Sequence, residues 1–341
     1  MNILIVKLSA IGDIIHTLPS LIELRRLYPE AHITWVVEEA AADLIKNHPL
    51  LDVVLISRRK SWIKDFQNGK VKRPLKEISS FIKTLRQRHY DLVIDFHGLF
   101  KSSIIVVLSG AKRKLGYNSL QELSGLFLNE KIPEDMNKHA VDRYLDFPRY
   151  LGAKTENARF FLPFNKQEEE KSQILLHKYN LEEKKFIAIN PFALWETKLW
   201  SNEKFARLAD LINNEMQVKV VFTGSEKKSI EKIISLMTTE SINLGGETTL
   251  LDLAYIYKKA RLVITTDSGP MHLAAAVKAP IIALFGPTDP ARTGPYGSGH
   301  SIVRTEIVCS PCFLKKCPTK KCMEDISTEQ VFAAVKKFKE V

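Results

Sequence analysis

The sequence of 341 residues contains no apolar run approaching the roughly 20 uncharged residues that a membrane-spanning helix needs, so no such helix is expected. Its start lacks the basic, apolar and small-residue succession of a secretory signal. Met1-Asn2-Ile3-Leu4-Ile5-Val6-Lys7 reads instead as a buried strand, and a cytoplasmic protein is expected. Cysteine is scarce: there are four, all in one stretch near the C-terminus, which excludes a fold stapled throughout by disulfides. At 45% hydrophobic residues the chain can bury its cores without them, and its length suggests two domains. After the first strand the G-x-G-x-x-G turn is missing, which argues against a dinucleotide site in that half.

Acids are outnumbered by bases, 39 to 50, for a net charge of +11 that favours an acidic partner: nucleic acid, a membrane surface or a phosphorylated lipid. From Ile56 to Arg88 eleven Lys/Arg face two acids, a local balance of +9. Each of these cations taken alone reads as part of a solvated helix face. Clustered beside Trp62 and Phe66, they suit an anionic, partly greasy surface. The cysteines, Cys309, Cys312, Cys317 and Cys322, are spaced C-x2-C-x4-C-x4-C. In a reducing compartment this clustering points to a structural thiolate site for zinc or iron, ahead of disulfides or free surface thiols. Lys315, Lys316, Lys320 and Lys321 among them would favour thiolates.

Short apolar runs alternate with amphipathic stretches. Residues 3–6, 33–37, 53–56 and 92–96 read as strands, with helical spacing at 19–27 and 75–89. A polar stretch, Asn165 to Lys171, reads as a hinge, and past Lys185 the alternation restarts. Strands are expected at 186–190, 218–223, 262–265 and 280–285, and helices at 202–216, 228–239, 250–259 and 271–277. A last helix over 328–339 follows Ser327 as N-cap, with Gln330 three positions on. This is an α/β chain of two Rossmann-like, doubly wound domains facing a central cleft, here bounded as 1–165, 166–325 and a C-terminal helix at 326–341 that could pack back on the first domain.

Two strand-turn-helix junctions carry the polar residues that chemistry would need. The first runs Lys7-Leu8-Ser9-Ala10-Ile11-Gly12-Asp13, at the carboxyl edge where open α/β sheets bind ligands. Asp13 is equally well read as a helix cap or as a carboxylate that takes a proton from a hydroxyl. The second, Thr265-Thr266-Asp267-Ser268-Gly269-Pro270-Met271-His272, opens a helix whose free N–H groups and dipole suit a diphosphate. Asp267 and His272 have ordinary alternatives, a cap and a packed side chain. Lys198 could neutralise a departing phosphate or be a surface lysine beside Trp200. Glu226, after Thr223-Gly224-Ser225, could meet ribose hydroxyls or cap the next helix.

In this order the segments resemble glycosyltransferase family 9, the heptosyltransferases, over nearly the whole chain. Val6 to Asp13 with His16-Thr17-Leu18-Pro19, and Trp35-Val36-Val37-Glu38-Glu39, are similar to the heptosyltransferase I branch. Asp267 to His272 and Phe285-Gly286-Pro287-Thr288-Asp289-Pro290 resemble the donor-site signature. Ala193 and Leu194 stand where that branch carries hydroxyl residues, and the cysteine cluster resembles the tail of heptosyltransferase II.

The resemblance implies a GT-B fold, an ADP-heptose donor and a Kdo-lipid A acceptor. It also implies peripheral work on the cytoplasmic face of the inner membrane, with no nucleic-acid partner. It assigns Asp13 as catalytic base and Lys198 as donor-phosphate lysine. Ser9, Gly12, Glu226, Thr266, Asp267, Ser268, Gly269 and His272 fall to donor binding, and Arg58, Arg59 and Lys60 to the acceptor's acidic groups. Direct inverting displacement on this plan needs no catalytic metal.

Overall fold

The structure is a computed structural model that describes residues 1–118 and 121–338. The chain divides into two compact units, Met1–Pro163 and Phe164–Val341. In the first, strands β1 (Asn2–Val6), β2 (His32–Glu38), β3 (Val53–Ser57), β4 (Leu92–Asp95), β5 (Arg113–Tyr117) and β6 (Glu130–Ile132) form one sheet. Its order is β3-β2-β1-β4-β5-β6 and every pairing is parallel. Helices α1 (Ile11–Leu27), α2 (Glu39–Ala42), α3 (Arg59–Gln67), α4 (Lys72–Arg86), α5 (Phe100–Leu108) and α6 (Ala140–Tyr150) belong to this unit. Central strands carry Ile, Leu and Val at successive positions because a parallel sheet under crossover helices is covered on both faces; Ile3, Leu4, Ile5 and Val6 are all fully buried.

The second unit repeats the plan. Its strands are β7 (Phe186–Asn190), β8 (Lys219–Phe222), β9 (Ile242–Asn243), β10 (Leu262–Thr266), β11 (Ile281–Phe285) and β12 (His300–Arg304). They pair in parallel in the order β12-β11-β10-β7-β8-β9. Its helices are α7 (Lys166–Lys178), α8 (Asn202–Leu211), α9 (Lys227–Ile234), α10 (Leu250–Lys259), α11 (Gly269–Ala276), α12 (Pro290–Thr293), α13 (Lys321–Glu324) and α14 (Thr328–Lys337). Counted within its own unit, each sheet has the order 3-2-1-4-5-6. The strand order therefore reverses between β1 and β4 and between β7 and β10, and at those switch points the chain ends of the strands open a crevice.

The structure changes three expectations. The units divide between Pro163 and Phe164, next to the polar stretch expected as the hinge, and the stretch itself is the start of α7: Asn165 Oδ1 accepts from the Glu168 N–H at 2.8 Å and Glu168 Oε2 accepts from the Asn165 N–H at 3.1 Å. This reciprocal cap turns a charged run into the solvated face of a helix. The last helix does not stand apart, because Val331, Phe332 and Val335 share a core with Phe205, Leu208 and Ile212 of the second unit. Its cap is the expected one, with Ser327 Oγ accepting from Gln330 N–H at 3.1 Å, and Lys339 to Val341 lie outside the described residues. Trp62, expected on the greasy surface, is buried: its indole N–H donates to Glu77 at 2.8 Å and its ring meets Phe81 edge-on.

Candidate functional site

In the first unit the switch point gathers Lys7 after β1, Asp13 on the first turn of α1, and Asp95 to His97 after β4. The two oxygens of Asp13 meet different partners. Its Oδ2 accepts the Ala10 N–H at 3.0 Å, closing the start of α1, while Oδ1 accepts from the Tyr144 hydroxyl at 3.0 Å and lies 3.8 Å from Lys7 Nζ. Burial pulls the Asp13 carboxyl up, but Lys7, the Ala10 N–H, Tyr144 and His97 together outweigh it and hold it below the ordinary aspartate value. The side chain keeps 40% of its surface open, so the opposing pull of burial is weaker than in a closed pocket.

Asp95 is buried and serves the turn after β4, accepting from the His97 and Gly98 N–H groups and the Ser102 hydroxyl at 2.9, 3.1 and 2.9 Å. His97 was not singled out in the sequence, having no motif around it. Burial, then Lys7 and Lys101, push its imidazole down to about 3, so it is neutral at physiological pH. Among the described residues neither ring nitrogen has a hydrogen-bond partner, and each is buried. Unmet polar groups of this kind are rare in native structures unless a ligand or water satisfies them.

The basic residues are organised by acids that the sequence reading left without a role. Glu38, at the end of β2, is buried and lies 3.6 Å from Arg59, 3.5 Å from Lys60 and 3.3 Å from Lys101. Glu39 takes Arg58 at 3.1 Å. Ser9, expected on the donor, accepts from Lys101 at 3.1 Å, and Gly12 is buried in the first turn of α1. Four cations thus share two carboxylates, which leaves net positive charge in the cluster. Beyond it, Lys64, Lys70, Lys72 and Lys76 are interspersed along α3, the link after it and the start of α4 with the exposed Ile63, Phe66, Val71 and Leu75.

In the second unit the switch point brings Lys198 to Asp267. Lys198 closes the short turn Glu196–Lys198 and its ammonium lies 2.6 Å from Asp267 Oδ2 and 4.4 Å from the Trp195 ring centre. Thr288 donates to the same Oδ2 at 2.5 Å, and Thr266 donates to Phe192 O at 2.9 Å. Asp267 precedes α11, whose N-cap is Ser268 and whose first residues are Gly269 and Pro270, so the helix opens with few occupied N–H groups and a positive end. Its Ser268 hydroxyl turns back to Thr266 O at 3.3 Å, and His272 is buried in the same helix. Glu226 precedes α9 in the cap position, yet its carboxylate makes no cap bond and accepts from Ser229 at 3.0 Å. Thr288 was legible only as part of a motif; its bond to Asp267 crosses 21 residues.

The cysteine segment braces this second site. Thr197 Oγ1 donates to Leu314 O at 2.7 Å, Lys315 lies 5.3 Å from the Trp195 ring centre, and Lys320 lies 3.8 Å from Glu196. Every one of these contacts falls on the three residues before Lys198. Among the described residues no three His, Cys, Asp or Glu side chains form a group able to hold an ion. Cys322 points into the hydrophobic core beside Met323, under Gly286, where an added Cβ would come within 3.1 Å of its sulfur. Burial, followed by Cys312, Cys309 and Cys317, pushes its thiol up, so it keeps its proton, whereas Cys317 is pushed down by the Lys320 and Thr319 N–H groups.

A half-buried cation shared with a buried carboxylate beside a helix start is suited to activated-phosphate donors. Known proteins agree. The chain has the fold of a solved family 9 glycosyl transferase from Veillonella parvula, 27% identical with TM-score 0.81 over 99% of this chain and 96% of that one. It also has the fold of Escherichia coli heptosyltransferase WaaC with ADP, 23% identical with TM-score 0.79 over 99% and 100%. Among curated relatives, lipopolysaccharide heptosyltransferase 1 of Pseudomonas aeruginosa is 28% identical over 95% of this chain and 90% of its own length. Lipooligosaccharide heptosyltransferase 2 of Campylobacter jejuni is 27% identical over 98% of each. The molecule is thus a glycosyltransferase of the GT-B class. Residues 78–323 match the model of glycosyltransferase family 9 (heptosyltransferase), and the chain belongs to that family.

Proposed function

We propose that the enzyme transfers L-glycero-D-manno-heptose from ADP-heptose to a Kdo residue of Kdo-lipid A, with inversion at the anomeric carbon. Asp13 removes the proton from the acceptor hydroxyl, the oxygen forms its bond to that carbon, and the carbon–oxygen bond to the diphosphate breaks with its electron pair leaving on ADP. Lys198 and the start of α11 supply positive charge to the departing diphosphate. Glu226 serves the nucleoside, and Arg58, Arg59 and Lys60 serve the acceptor's phosphates and carboxylates. The observation that carries the reading is the Asp13 carboxylate, ionised, partly open and oriented by three hydrogen-bonding or charged neighbours at a switch point. A membrane surface as the place of work is supported by the lysines and exposed apolar side chains interspersed from α3 to the start of α4, a pattern that suits anionic lipid. No helix among the described residues is long and apolar enough to cross a bilayer.

A second reading, heptosyltransferase II or a protein-directed heptosyltransferase, differs only in the acceptor. The cysteine segment and the heptosyltransferase 2 relative favour it. The test is incubation with ADP-heptose and a panel of Kdo-lipid A, heptosyl-Kdo-lipid A and peptide acceptors. ADP release with a mass gain on the first alone supports the proposal; gain on another acceptor alone replaces it.

A further inference from the structure

Tyr144 lies on α6, 131 residues from Asp13, and its hydroxyl joins two groups at the edge of the first sheet. It accepts from Lys7 Nζ at 2.6 Å and donates to Asp13 Oδ1 at 3.0 Å. Lys7 is buried, donates also to Phe96 O at 3.0 Å, and has its ammonium 4.5 Å from the Tyr144 ring centre. A buried cation is costly unless it is well bonded. Here it stands 3.8 Å from Asp13 and reaches the carboxylate through a hydroxyl at normal hydrogen-bond lengths. The chain of donors runs one way, from ammonium to hydroxyl to carboxylate, and is anchored at the end of β1, on α1 and on α6. The tyrosine ring is further fixed edge-on against Phe96.

We propose that Tyr144 and Lys7 are positioning residues for Asp13, fixing Oδ1 so that its remaining lone pair meets the acceptor hydroxyl and keeping the carboxylate free of a proton between turnovers. The proposal rests on the reading of Asp13 as base. The proton taken from the acceptor leaves Asp13 for solvent, since each donor on the path already points at the carboxylate. Burial, then the Asp13 charge, holds the Tyr144 hydroxyl far above its ordinary range, so it stays a donor. The other titratable and charged groups facing this chain are Asp95 at the end of β4, His97 just after it, Tyr117 at the end of β5, Arg143 on α6 and Glu134 before that helix. Of these His97 is neutral at physiological pH, and Arg143 is paired with Glu134 at 2.6 Å.

The test compares the full-length enzyme with Tyr144→Phe, Lys7→Met and Asp13→Asn. The Asp13 titration midpoint is read by carboxyl ¹³C NMR, assigned by its loss in Asp13→Asn, and kcat and donor KM are measured against pH. Tyr144→Phe keeps the ring and removes one hydrogen bond to a charged group, so the midpoint should rise by about 1–2 pH units. The acid limb of kcat should rise with it, while donor KM stays within about twofold. Lys7→Met should shift the midpoint in the same direction; should it fail to fold, Tyr144→Phe still decides. An unmoved midpoint and unchanged kcat in Tyr144→Phe, with turnover lost in Asp13→Asn, overturns the positioning role alone. Retained turnover in Asp13→Asn overturns the base assignment and this proposal with it.

Discussion

On the proposed mechanism the Asp13 carboxylate has two duties, one oxygen for each: Oδ2 holds the helix start and Oδ1 faces the acceptor. Asp13→Ala is expected to lower turnover by about 10²–10⁴-fold, the usual contribution of a general base, with only a small loss of stability from the broken helix start. Initial rates and a melting curve on the same preparation check both. Because the folded carboxyl titrates below the ordinary aspartate value of about 3.9, the ionised form is complete above that value and is lost only as pH falls through the lowered one. His97, at about 3, is neutral over the same range. The rate from pH 5 to 8 should therefore carry no inflection from either residue. An inflection near 6 that disappears in Asp13→Asn or His97→Ala would contradict these assignments. At the second site, Lys198→Ala is expected to cut turnover by about 10²–10³-fold, since it withdraws a cation from a developing negative charge and leaves Asp267 buried without its partner.

At the scale of elements, the basic start of α3 is a cluster tuned by Glu38 and Glu39 rather than bare positive charge. Replacing Arg58, Arg59 and Lys60 together with alanine should weaken the acceptor far more than the donor. Titration with ADP and with a Kdo-lipid A analogue separates the two, and equal losses would contradict the assignment. Gly286 is another element-scale constraint: an added Cβ would lie 2.7 Å from Met323, so Gly286→Ala should cost about 1–3 kcal/mol of stability by overpacking. Differential melting of the variant reads this.

The elements that carry these residues were unequally visible. Central strands such as β1, β7 and β10 each carry a run of three or four consecutive apolar residues and are legible in the sequence. Strands at or next to a sheet edge are not: β5, one in from the edge, reads Arg-Lys-Leu-Gly-Tyr, while of the edge strands β9 has two residues and β12 is only half-buried, so neither length nor apolar pattern marks them. Asp13, Lys198 and Asp267 stand in junction motifs and could be found. Tyr144, Glu38 and Thr288 act through partners far away in the chain, and no local pattern reports which distant carboxylate or lysine a side chain will meet.

For the whole molecule, two sheets of one topology each have a point where strand order reverses, and at each of them the residues proposed for chemistry, Asp13 in one unit and Lys198 with Asp267 in the other, are found. Its positive balance is concentrated on one stretch of the first unit, which is expected to make membrane association salt-dependent. Sedimentation with vesicles containing anionic lipid should fall as salt rises from about 0.05 to 0.5 M, through screening; binding unaffected by salt would contradict an electrostatic contact. The central claim is the transfer itself. Purified enzyme given ADP-heptose and Kdo-lipid A should release one ADP for each heptose added to the lipid, followed by mass spectrometry, and Asp13→Ala should do neither at a comparable rate. Wild-type enzyme that leaves Kdo-lipid A unchanged, or an Asp13→Ala variant that turns over normally, would contradict the account.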